Sequence, residues 1–126
     1  MKYAFTIYTD ESQRDSATPE QTQQVSEAYG KVTQEMQEKG ILVAGDGLYP
    51  TSTATTVRVR DNERDVTDGP FAETKEQLGG FYVLDCKDLD EAIEWAAKIP
   101  TACKGGEGCI EIRPLPGLPS RPPSNG

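Results

Sequence analysis

Two amphipathic helical stretches set among short alternating strands leave this chain few folds to choose from. The first opens at Thr18-Pro19-Glu20-Gln21, where a hydroxyl at the N-cap, a proline at the first helical position and a Gln three residues after the cap form a capping box. Val25, Ala28, Tyr29, Val32 and Met36 then recur at steps of three and four, and Gly40 stands where a left-handed C-terminal cap belongs. The second stretch is capped by Asp88 with Glu91 at the box position. Leu89, Ala92, Ile93 and Ala96 are expected on its buried side, with Trp95 at the border of that arc and Pro100 at its limit.

The strands come from period-two alternation. Residues 2–9 put Tyr3, Phe5 and Ile7 on one face and Ala4, Thr6 and Tyr8 on the other. A polar connection, 10–17, follows. Residues 41–47 form a short apolar run broken by Gly45 and Gly47, and residues 55–60 alternate Val57 and Val59 with Arg58 and Arg60. After a polar turn at 61–64, residues 65–67 are expected to pair back. Gly79-Gly80 opens a strand over 81–86, and 109–113 closes the set with Ile110 and Ile112 inward.

The order β-α-β-β-(short hairpin)-β-α-β is the split βαβ pattern of a ferredoxin-like α+β domain with an antiparallel sheet. Two helices cover only one face of such a sheet. Tyr3, Phe5, Val57, Val59, Phe81, Val83, Ile110 and Ile112 cannot all belong to the uncovered face, while Tyr8, Tyr82 and Leu84 place apolar groups on the opposite one. An apolar open face predicts a homodimer packed sheet against sheet.

The 126 residues fit one domain, expected over 1–113, with a Pro-rich, disordered tail at 114–126 that holds five of the nine prolines. Thirteen Lys and Arg against 21 Asp and Glu give a net charge of −8, which argues against direct binding to nucleic acid. No apolar run is long enough for a membrane span or an export signal, so a cytoplasmic location is expected. Cys86, Cys103 and Cys109 fit no zinc or disulfide spacing and read as free thiols; a redox role for Cys103 and Cys109 around a glycine loop is the alternative. Histidine is absent, which removes the commonest general base, metal ligand and nucleophile partner. No cofactor and no metal are expected.

The run Thr-Asp-Gly-Pro-Phe-Ala-Glu-Thr-Lys-Glu-Gln-Leu-Gly-Gly-Phe-Tyr from Thr67 to Tyr82, with Asp88-Leu89-Asp90-Glu91-Ala92 and Trp95-Ala96-Ala97-Lys98-Ile99-Pro100, closely resembles the DGPF, or YCII-related, family of small bacterial proteins. Met1-Lys2-Tyr3, Ala28-Tyr29-Gly30, Ala44-Gly45-Asp46-Gly47-Leu48 and Ala54-Thr55-Thr56-Val57-Arg58 extend the likeness over most of residues 1–113. The resemblance implies a dimeric α+β-barrel and brings no settled activity. A His–Asp acid–base pair proposed within the broader group has no counterpart here, because the chain has no His. The DGPF branch also resembles companions of extracytoplasmic-function (ECF) sigma factors, which suggests an accessory or regulatory role.

Asp68-Gly69-Pro70-Phe71 is the sharpest motif. Its residues are turn formers, either a rigid corner that docks Phe71 in the core or the rim of a cleft, with Glu73, Lys75 and Glu76 on an exposed turn able to hold a small polar ligand. Asp46, between Gly45 and Gly47, can approach a ligand closely. If Asp46 and Asp68 share one end of the sheet they are candidates for acid–base work, and otherwise each caps a turn. Arg58 is a candidate anion clamp with Arg60, or an ordinary solvated strand residue. Two functions follow: a homodimeric small-molecule-binding or accessory module, or a small α+β-barrel enzyme using Asp carboxylates.

Overall fold

The computed structural model describes residues 1–100 and 108–117. The elements run β1 (Lys2–Thr9), α1 (Glu11–Asp15), α2 (Pro19–Glu38), β2 (Leu42–Gly47), a 3-10 turn (Thr51–Thr53), β3 (Thr55–Arg60), β4 (Glu63–Asp68), β5 (Gln77–Asp85), α3 (Leu89–Lys98) and β6 (Gly108–Pro114). The Cys103 glycine loop and the tail beyond residue 117 lie outside the described residues.

Local chemistry sets the ends of both long helices. The Thr18 hydroxyl accepts from the Gln21 amide at 3.1 Å, and the Gln21 side chain accepts from the Thr18 amide at 2.9 Å. At the other end of α2, Gly40 adopts φ +70, its amide donates to the Gln37 carbonyl, and the Ile41 amide reaches back to Met36. Those paired bonds are a Schellman motif, which only a residue tolerant of positive φ completes without strain. Asp88 caps α3 by accepting from the Glu91 amide at 2.9 Å.

The main sheet has the order β2-β5-β1-β6, with every neighbouring pair antiparallel. Counting only these four strands, the chain order is 2-3-1-4 across the sheet, a ferredoxin-like α+β arrangement. The core lies between one face of this sheet and α2 and α3. Tyr3, Phe5 and Ile7 of β1, Tyr82 and Leu84 of β5, Val32 and Met36 of α2, and Ala92, Trp95 and Ala96 of α3 are all buried there. Ile110 and Ile112 pack against it from the edge strand.

Several expected positions differ. In β5 the faces are reversed: Tyr82 lies opposite Phe5 and Leu84 opposite Tyr3, so these two enter the core and Phe81 and Val83 take the other face. Both pairs are apolar, so alternation alone left the choice to packing. Val57 and Val59 are not core residues, because among the described residues β3 pairs only with β4, in a separate two-stranded ribbon where both valines are exposed. In α3, Leu89 and Ile93 are exposed and Trp95 is buried, with the Lys98 ammonium 4.5 Å from its ring centroid. The polar connection after β1 contains a short helix that carries no apolar stripe. Pairing in β6 reaches Pro114, opposite Tyr3, and the Leu115 amide donates to the Lys2 carbonyl at 2.8 Å.

Cys86 follows β5 and is buried in the core. Burial, and then the nearby carboxylates of Glu91 and Asp85, push its thiol above the ordinary value of 9.0. A raised folded-state value means that the stabilisation is complete below the ordinary thiol range and is lost as pH rises past it. At about pH 8 we expect iodoacetamide to leave Cys86 unmodified in the folded protein and to label it fully in urea. Peptide mass spectrometry reads the result, and equal labelling in both conditions would place the side chain in solvent.

Candidate functional site

The apolar stripe of α2 does not stay in contact with the sheet along its whole length. Val32 and Met36, in the C-terminal half, are buried, whereas Val25 remains 47% exposed and Tyr29 is half-buried. The N-terminal half therefore stands off the sheet and opens a cleft of about 760 Å³. Its floor is the C-terminal end of β1 and the glycine-rich stretches of β2 and β5, and its mouth is framed by α1 and the start of α2. Ile7, Val25, Tyr29, Leu42 and Leu48 supply an apolar lining. The volume falls in the range of sites that enclose small organic molecules.

Glycines shape the floor. A Cβ on Gly45 would lie 2.7 Å from the Tyr82 ring, so a side chain there would collide with the ring where it now sits. The Tyr82 hydroxyl then reaches α2, 2.7 Å from the Thr33 hydroxyl, tying sheet to helix at the back of the cleft. A Cβ on Gly80 would meet the Asp46 carbonyl at 3.0 Å, so the close approach of β5 to β2 also depends on a missing side chain.

The mouth is held by α1. Asp10 Oδ1 accepts from the Ser12 amide at 3.0 Å and the Ser12 hydroxyl at 2.6 Å. The Ser12 hydroxyl is the main cause of the low Asp10 pKa, held below the ordinary 3.8 with a smaller contribution from the Lys75 charge. Glu11 accepts from both the Thr51 amide and the Thr51 hydroxyl, at 2.9 and 2.8 Å, while its own amide donates to Gln77 at 3.0 Å. Four acidic residues line the cleft (Asp10, Glu11, Asp15 and Asp46), and no Lys or Arg is among the described residues that do.

One lining residue has an unmet need. Thr9 is the next inward position after Tyr3, Phe5 and Ile7, it is 8% exposed, and its hydroxyl has no hydrogen-bond partner among the described residues. Most buried hydroxyls are satisfied, and leaving one unmade costs about 1–3 kcal/mol.

Of the site residues expected from the sequence, Asp46 alone lines this cleft, with Oδ1 accepting from the Gly47 amide at 2.8 Å. Asp68 ends β4, opposite Thr55 in the separate ribbon, and does not line the cleft with Asp46. Arg58 lies opposite Asp65 in that ribbon, an exposed cross-strand pair of opposite charge. Phe71 is 78% exposed, so the Asp68-Gly69-Pro70-Phe71 corner does not dock it in the core. The corner is built by Gly69 at φ +97, whose amide donates to the Ala54 carbonyl at 2.7 Å and whose carbonyl accepts from the Thr56 hydroxyl at 2.7 Å. Glu73 and Lys75 lie exposed on the turn before β5, Lys75 near enough to bias Asp10. Thr9 was the residue that sequence reasoning passed over. The period-two continuation from Ile7 to an inward threonine was its signal.

A family model described as the YCII-related domain matches residues 1–116. The chain belongs to the YCII-related family. A relative from Rhizobium meliloti (strain 1021), described as an uncharacterized protein, is 42% identical over 115 residues, which is 91% of this chain and 92% of the relative. Both the β-ribbon and the cleft of this YCII-related chain fall inside the matched span. No described helix is long and apolar enough to cross a membrane.

Proposed function

We propose that this YCII-related protein is a homodimeric module that holds a small organic molecule in the cleft between α2 and the sheet. The observation that carries the reading is the cavity of about 760 Å³ lined by Ile7, Val25, Tyr29, Leu42 and Leu48. A largely apolar cavity with a small number of placed polar groups is the usual form of a small-molecule site.

The dimer part of the reading is supported by the sheet face turned away from the helices. Tyr8 lies opposite Leu78 there, Phe81 opposite Thr6, and Val83 opposite Ala4. A second sheet packed on that face removes this apolar surface from water. The family resemblance adds an accessory role beside an ECF-type sigma factor as the setting. Acid–base catalysis by Asp46 with Asp68 finds less support, since Asp68 sits on the separate ribbon and does not line the cleft.

Native mass spectrometry of gently purified protein tests both parts at once. We expect twice the 13.7 kDa chain mass with a reproducible small adduct. A bare monomer would overturn the reading.

A further inference from the structure

We propose that β4 is a docking edge for a second copy of this chain, the two β4 strands pairing antiparallel about a two-fold axis through Val66. The contact is separate from the sheet-face dimer proposed above and does not depend on it.

The backbone sets which groups are available. Antiparallel strands alternate between residue pairs that exchange hydrogen bonds and pairs that do not. The Gly69 amide donates to the Ala54 carbonyl at 2.7 Å, which makes Ala54 and Gly69 an exchanging pair. Counting along the register from there, Thr56 with Thr67, Arg58 with Asp65 and Arg60 with Glu63 exchange bonds inside the ribbon. This phase agrees with the two-residue turn, where Asp61 and Asn62 have the positive φ of a type I′ hairpin closed by Arg60 and Glu63. The amides and carbonyls of Arg64, Val66 and Asp68 therefore point out of the ribbon along the β4 edge. Every residue of β4 is exposed, and among the described residues β3 is its only strand partner. An edge of this kind is a template for another strand.

The side chains choose the partner and the register. An axis at Val66 sets that residue against its own copy and sets Arg64 against the partner's Asp68, twice over. Asp65 then faces the partner's Thr67, so no like charges stand directly opposite. An axis moved to Asp65 sets that carboxylate against itself. On β3, an axis at Val57 gains no charge pair, and one at Arg58 sets two guanidinium groups face to face. The β4 edge is thus self-complementary in backbone and in charge, as an isologous contact requires. Val57 and Val66 lie opposite each other on one face, 56% and 58% exposed, and the pairing extends them into a row of four valines. It also turns a two-stranded ribbon, a marginal structure by itself, into four strands.

One strand per copy makes a contact well under about 1,000 Å², so the pairing is weak and is best trapped covalently. The Cα atoms of an exchanging pair lie about 5.5 Å apart, within reach of a disulfide. We therefore expect full-length Val66→Cys to form a 66-to-66 disulfide under mild oxidation, read by non-reducing electrophoresis and peptide mass spectrometry. Val57→Cys is the control: it shares the face and the exposure, but three strand spacings, about 14 Å, separate it from its copy. The 66-to-66 link should form at least about tenfold faster than a 57-to-57 link. Adding Arg64→Asp to Val66→Cys should slow the link about fivefold or more, because like charges then face each other. Adding Asp68→Arg as well should restore it.

Equal linking at positions 66 and 57 would overturn the proposal, since random collision explains it. A 66-to-66 link indifferent to Arg64→Asp, or one that Asp68→Arg fails to rescue, would overturn it too. Each of those results leaves the sheet-face dimer and the cleft reading standing.

Discussion

Phe5→Ala is expected to lower the stability of the fold by about 3–5 kcal/mol, and Phe81→Ala by far less. Phe5 is fully buried in a middle strand of the sheet, opposite Tyr82 on one side and Ile112 on the other. Truncating it removes a large apolar side chain and leaves a cavity under α2 and α3. Phe81 is only partly buried and lies on the other face. Urea unfolding followed by circular dichroism measures both. If Phe81→Ala proved as costly as Phe5→Ala in the isolated monomer, the face reversal in β5 would be wrong. In a dimer, part of the Phe81 effect would depend on protein concentration, which separates loss of association from loss of folding.

Gly45→Ala is expected to cost about 1–3 kcal/mol despite adding only one methyl group. The new Cβ would sit 2.7 Å from Tyr82 Cδ1 and 3.2 Å from the Phe81 carbonyl oxygen. The second neighbour is backbone in a paired strand, so the Tyr82 ring has to give way. Moving that ring strains the 2.7 Å contact between its hydroxyl and Thr33, which joins the sheet to α2. The substitution should therefore reduce ligand uptake in the cleft as well as lower the melting temperature. By contrast, Gly30→Ala meets nothing within 4 Å on α2 and should be neutral or stabilising. Thermal melts of the two variants side by side check the argument. A Gly45→Ala protein as stable as the parent would mean that the ring moves without cost.

How far the sequence could be read depended on whether a residue's signal was local. The caps were legible because they depend on residues three or four apart: Thr18 with Gln21, Gly40 after Lys39, Asp88 with Glu91. The antiparallel ferredoxin-like order was legible because alternation and stripes are also short-range. Which face of β5 meets the helices was not, since Phe81, Tyr82, Val83 and Leu84 are all apolar and the choice rests on the pairing of Phe5 with Tyr82. The valines of β3 mark a strand with two unlike faces, but alternation carries no information about what covers either face. They ended in a ribbon whose own register sets Val57 against Val66. For the site, Asp46 stood out by its glycine neighbours. Thr9 and the mouth formed by Asp10 and Glu11 did not, because α1 has no apolar periodicity and its anchors, Thr51 and Gln77, are 40 and 66 residues from Glu11.

Among the described residues the β3–β4 ribbon pairs with no other strand, and its strands meet at a two-residue turn in which Asp61 and Asn62 both adopt positive φ, at 50° and 66°. Residues spliced in at that tip lengthen the arm and leave the pairing of the four-stranded sheet unchanged. The tip is thus a natural grafting point for a fluorophore or an affinity handle, and a position where related chains are free to differ in length while keeping the same cleft.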